Sequence, residues 1–250
     1  MRRKRARVHN AGMADAPGPD PSPPASGDAP AADGLTDAQK SLRAQLLATE
    51  HWSLLASRST TQGEVLTRIA IFLTVVSAGL IGLGILGNAT QFRGWFGVAA
   101  LGVLFLLLLL GLITMLRAFN TATEDLMYVL AMNRLRAAYL DLDPGLEPYL
   151  MMSPFDDVHG SEVTYHVFFP RPATQILGSS MMIISVVTSA VAGLFAGGVA
   201  ASFDAPVGVC VAVGVVAGVG ALVWMLRRGY ALYRRVWREH TPLRRSPPNG

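Results

Sequence analysis

Four runs of this chain contain no Asp, Glu, Lys, Arg or His: residues 69–87, 95–116, 175–200 and 207–226. Each is about as long as the ~20 residues that a helix needs to cross hydrocarbon. A buried soluble core explains one such run, but not four with polar boundaries. The chain is therefore expected to be all-α, an integral membrane protein with four transmembrane helices and helical extensions in the cytoplasm. A count that merges the last two runs into a re-entrant pair is the alternative. The break at Ser202, Phe203, Asp204, Ala205 and Pro206 favours an ordinary tight external turn, with Pro206 near the start of the fourth span, where a missing N–H costs little.

Composition supports the membrane class. Of the 250 residues, 51% are hydrophobic and 15% charged, against about a quarter charged in soluble domains. The single cysteine, Cys210, lies in the fourth run and cannot form an internal disulfide. The basic residues are nearly all arginine in an Ala-, Gly- and Val-rich background. That suggests a high-GC bacterial genome and hence a plasma membrane. The opening MRRKRAR lacks the apolar stretch of a signal peptide, and Met13 is a second candidate start. Residues 1–34 hold too little apolar surface to offset ordering and are expected to be disordered.

Arginine and lysine placement sets the orientation. The first expected external loop holds Arg93 and the second holds no basic residue. Arg58, Arg68, Arg117 and Arg171 flank the opposite ends, and seven arginines follow the fourth run. Both termini are thus expected to be cytoplasmic.

Thr36 or Asp37 is placed to cap an amphipathic helix over 36–60, with Ala44, Leu47, His51, Leu54 and Leu55 on one side. His51 there is expected to be packed rather than a ligand. After the second span, Thr121 and Glu124 form a candidate capping box for a helix over 120–141. The alternative is that the second span runs on as one helix of about 47 residues. Leu126, Met127, Val129, Leu130, Met132, Leu135, Tyr139 and Leu140 point almost all round it, so it needs cover on more than one side. The 36–60 helix, another subunit or a cytoplasmic protein partner at 120–141 could supply that cover. Asp143-Pro144-Gly145 ends the helix, and 143–173 is expected to be a cytoplasmic loop.

The spans hold no ionisable group, which argues against a proton-driven pump. Thr74, Ser77, Thr114, Ser185, Thr188 and Ser189 could line a pore, but are expected to bond to the preceding turn or a neighbouring helix. Gly193 and Gly197, with Gly214 and Gly218, form two GxxxG motifs suited to close helix packing, within one chain or between subunits. Asp156, Asp157, His159 and Glu162 lack EF-hand or HExxH spacing and are expected to sit in a solvated loop. In the tail 227–250, Arg227, Arg228, Arg234, Arg235 and Arg238 cluster on one side of a helix, opposite Tyr230, Tyr233 and Trp237. That pattern fits a basic amphipathic helix lying at the inner headgroup layer, and the partner it implies is the lipid bilayer. Nucleic acid is not an expected partner. No nucleophile elbow, P-loop or dinucleotide fingerprint occurs; no catalytic residue, cofactor or metal is expected.

LLATEHWSLLASRS (46–59) and MNRLRAAYLDLDPGLEPYL (132–150) resemble segments of an actinobacterial family of multi-pass membrane proteins, over about residues 40–160. That resemblance implies no activity. The plan of helix, two spans and long helix is also loosely similar to SLATT-type bacterial membrane effectors, which act as pores in conflict systems. This chain departs from that plan in having a second pair of spans, and no site residue is carried over. The expected function is a non-enzymatic, oligomeric membrane scaffold or sensor acting through its cytoplasmic helices. The alternatives are a pore-forming effector of a bacterial conflict system and a small-solute transporter.

Overall fold

The computed structural model describes residues 34–167 and 179–248. Residues 1–33, Arg171 and the first positions of the expected third span lie outside the described residues. The molecule is all-helical, and four of its helices are long and apolar enough to cross a membrane. They are α1 (Asp37–Thr90), α2 (Phe96–Leu142), α4 (Ser180–Ala201) and α5 (Val207–Glu239). A 3-10 turn (Pro144–Tyr149) and a short helix α3 (Val158–Tyr165) lie between α2 and α4.

The helix expected over 36–60 and the first span are one uninterrupted helix of 54 residues. The intervening TQGEVLTR contains no proline, and Arg68 pairs with Glu64 one turn earlier at 2.9 Å, so nothing breaks the ladder. Its start is a true capping box: Thr36 Oγ1 accepts from the Gln39 N–H, and Gln39 Oε1 accepts from the Thr36 N–H. The second span likewise runs on as a single helix of 47 residues. Thr121 is buried inside α2 and caps nothing.

α1 and α2 form an antiparallel hairpin about 70–80 Å long. Val65, Ile69, Phe72 and Val76, spaced four, three and four residues apart, bury against Leu104, Leu107, Met115, Ala118 and Phe119. Gly111 is where three helices converge: a Cβ there would meet Thr188 Oγ1 of α4 at 2.8 Å and the Phe72 ring of α1 at 3.0 Å. At the α1–α2 turn, Gln91 and Phe92 take positive φ, and the Phe92 ring folds back over Gly87.

The helices stand in an open row, α1, α2, α4, α5, rather than a closed bundle. Beyond the start of α4 at Ser180, α5 closes directly onto α2, where Gly229 lies against the Phe119 ring. α5 itself is unbroken from Val207 to Glu239. The arginine-bearing turns therefore continue the fourth span instead of bending away to lie flat in a headgroup layer, as the sequence pattern had suggested.

Past the apolar segments, α1 before Arg68, α2 after Leu116, residues 143–166 and residues 227–248 make one packed unit, called the head below. A ladder of polar contacts marks its boundary. Asp125 accepts from Arg58 Nε at 2.6 Å, Gln62 Nε2 at 2.7 Å and the Tyr165 hydroxyl at 2.7 Å. Arg117 bridges Glu64 and Glu124, each at 3.1 Å.

Candidate functional site

The stretch PFDDVHGSE is not the solvated loop expected from its acidity. Asp156 is fully buried, and Asp157 caps α3 by accepting from the Gly160 N–H at 2.8 Å. Only His159 and Glu162 of the four remain exposed. The reason is the chain's own C-terminal tail, which supplies the donors that these carboxylates need. Asp156 Oδ1 accepts from the Arg244 N–H at 2.8 Å, and Oδ2 from the Leu243 N–H at 3.0 Å. Arg134 of α2 adds its Nε at 2.6 Å. The Asp156 N–H donates to the Arg244 carbonyl, and the His240 ring Nε2 lies 2.7 Å from the Asp156 carbonyl oxygen. Asp157 accepts from the Ser246 N–H and hydroxyl, both at 2.8 Å.

This clasp rests on α2 through Asn133, also fully buried. Its amide donates to the Phe155 and Gly160 carbonyls, and its Oδ1 accepts from Thr164 Oγ1 and Arg136 Nη1. Every polar valence of that side chain is used, as a buried amide requires. A second strap joins Arg244 to Asp141 at 2.5 Å.

Burial opposes ionisation of Asp156, but the N–H groups of Arg244 and Leu243 and the Arg134 guanidinium outweigh it, holding the carboxyl below the usual carboxylate range. The same balance holds Asp157 low: burial resists, and the Gly160 and Ser246 donors prevail. Both are anionic at neutral pH, so the arrangement is a static receptor for the tail rather than an acid–base pair. Among the described residues no three His, Cys, Asp or Glu side chains converge to hold a metal ion.

Helix α2 over 126–140, whose all-round apolarity called for cover, receives it within the chain. Leu126, Val129, Leu130, Met132 and Ala137 are buried, and only Met127 of the apolar set is well exposed. α1, the 150–166 segment and the tail share that work. His51 of α1 packs beside Tyr139, ring centroids 6.2 Å apart.

The glycines of both GxxxG motifs face each other across the α4–α5 contact. A Cβ on Gly193 would meet the Gly214 carbonyl at 2.7 Å, and one on Gly197 the Cys210 carbonyl at 3.0 Å. A Cβ on Gly218 would meet the Ser189 carbonyl at 3.1 Å. Four of the span hydroxyls donate to their own helix one turn back: Thr74 to Ala70, Ser77 to Leu73, Thr114 to Leu110 and Ser185 to Met181. Ser189 turns to Met225 Sδ, and Thr188 Oγ1 is buried against Gly111 with no hydrogen-bond partner among the described residues.

In the tail, Arg227, Arg228, Arg234, Arg235 and Arg238 are all exposed, as are Tyr230 and Tyr233. Arg235 pairs with Glu239, and Arg234 lies over the Tyr230 ring. Trp237 is half-buried between Tyr233 and His240.

Sequence reasoning missed the Asp156 clasp, Asn133 and Arg136. The available signal was an asparagine and two arginines, Asn133, Arg134 and Arg136, set in an apolar helical run, together with two adjacent aspartates and a basic tail.

Comparison with protein-family models, with curated proteins and with solved structures returned no match.

Proposed function

We propose that this protein is a non-enzymatic plasma-membrane scaffold or sensor, oligomeric, with both termini in the cytoplasm and the head as its working part. The observation that carries the reading is the head itself. About 26 residues of α2 follow Leu116, which places the far end of the head about 39 Å beyond the span. It is organised by buried polar contacts, and it leaves Leu42 and Leu46 of α1 exposed at its outer end. Arginine asymmetry supports the cytoplasmic placement. Self-association of the outer part of α1 would cover those side chains and account for a helix that otherwise has one side packed and one bare.

Cysteine labelling from either side of intact cells, at Ser41→Cys and Ser246→Cys, checks the orientation. Both positions are expected to react only after permeabilisation. Crosslinking in native membranes through Ser41→Cys then tests the assembly. A dimer or larger species supports the scaffold, whereas a strictly monomeric protein contradicts it.

A further inference from the structure

Arg136 of α2 is 8% exposed, yet among the described residues it has no carboxylate partner. Asn133 Oδ1 takes its Nη1, and Met152 Sδ, a weak acceptor, takes its Nη2 at 3.0 Å. A guanidinium carries five N–H donors, so about three are left without a protein acceptor among the described residues. Burial first, and then the positive charge of Arg58, lower its affinity for the proton. A buried guanidinium with no anion is costly and rarely kept without a use.

Arg136 lines a groove of about 340 Å³ with Ala48, His51, Trp52, Tyr139 and Leu150, within the roughly 300–1,000 Å³ of small-ligand sites. His51 Nδ1 is buried without a hydrogen-bond partner among the described residues, and Trp52 is exposed at the rim. One cation, a histidine and a Tyr–Trp pair with an apolar floor make a surface for a negatively charged group attached to a flat or apolar body. The groove lies about 20 residues past Leu116 on α2, some 30 Å from the end of the span, which is beyond the reach of a lipid headgroup.

We propose that this groove binds the oxyanion of a small water-soluble carboxylate or phosphate ester, with Arg136 and His51 holding the charged group and Trp52 and Tyr139 holding its apolar body. This deepens the sensor reading by naming the class of ligand, but the site does not depend on self-association and can be tested apart from it. The probes are benzoate, phenyl phosphate and inorganic phosphate, with neutral benzamide as the control, titrated by calorimetry into the full chain in non-ionic detergent. Saturable binding of benzoate or phenyl phosphate is expected, about tenfold or more tighter than benzamide. Trp52→Ala, at an exposed position, should weaken it several-fold, and Arg136→Gln should abolish it. Arg93→Gln, at the other end of the molecule, should leave it unchanged. Lack of saturable binding of all three anions to the native protein overturns the proposal. So does benzamide binding as tightly as benzoate, or equal loss in Arg93→Gln. Failure of the scaffold reading would appear separately, as a monomer in the crosslinking experiment.

Discussion

The α4–α5 hairpin and the head are held together by opposite means. Among the described residues the hairpin has no ion pair across its seam; its helices approach so closely that a Cβ on Gly193 would meet the Gly214 carbonyl. In the head, the same chain buries a carboxylate, an amide and a guanidinium and surrounds the first two with donors and acceptors. With the apolar helices in a bilayer and the head in water, as proposed, the difference follows from solvent. Apolar surroundings give helices no hydrophobic reason to associate, so close packing of small residues must do it. Water rewards burial of apolar surface but charges heavily for an unpaired polar group. The head therefore gains a unique arrangement from polar contacts, and the hairpin gains its arrangement from the absence of side chains.

Asp156→Ala should separate the two regions most sharply. It leaves Arg134 and two backbone N–H groups without their acceptor, and breaking such a buried pair costs about 3–5 kcal/mol. Arg134 is 39% exposed in its side chain, which puts the loss near the lower end. Denaturation should show the head destabilised while α4–α5 keeps its helicity. Acidification reaches the same end. Folding holds both aspartates below their ordinary values, so their contribution is complete above about pH 4 and is lost as pH falls through the lower folded values. Tail release measured by hydrogen exchange should follow that window and not the neutral range.

The converse test is Gly193→Leu. The new Cβ would sit 2.7 Å from the Gly214 carbonyl, and backbone on the far helix cannot swing aside. A loss of about 2–3 kcal/mol is expected, read by denaturation in mixed micelles, with the clasp unaffected. Gly220→Ala meets nothing within 4 Å and should be neutral.

Asp157→Ala removes the α3 cap and the Ser246 contacts, and should cost about 1 kcal/mol. Protection should be lost at Ser246 before Leu243. Smallest of all, Thr74→Val should change stability by less than about 0.5 kcal/mol, because its hydroxyl only bonds to Ala70 of its own helix.

What the sequence made legible divides along the same line. The four long helices follow directly from runs without charge, and close packing was foreshadowed by glycines at spacing four. The GxxxG pattern alone left open whether Gly193 would meet Gly214 or another subunit; the short 202–206 turn brings the two helices of one chain together. The head was harder to read because its contacts join residues far apart in the chain. Asp156 and Arg244 each look like solvated charges in local context, and only folding sets them together. Continuity was misjudged for a related reason. The change from polar to apolar composition at Arg68 and Ile69 marks a change of surroundings, not a helix end: no proline stands there, and the Thr60 hydroxyl bonds back to the Ala56 carbonyl of the same helix instead of capping a new one. The flat-lying tail helix was a comparable misreading: the arginine face of 227–238 is real, but the helix carrying it is an extension of the fourth span.

Hydrogen exchange on the full chain in nanodiscs, read at residues 240–246 alongside 126–140, tests the clasp most directly. The amides of Leu243, Arg244 and Ser246 are expected to exchange at least about a hundredfold more slowly than free peptide, and to lose that protection in Asp156→Ala. Free-peptide exchange at those three amides in the native protein, with 126–140 still protected, would contradict a head closed by its own C-terminal tail.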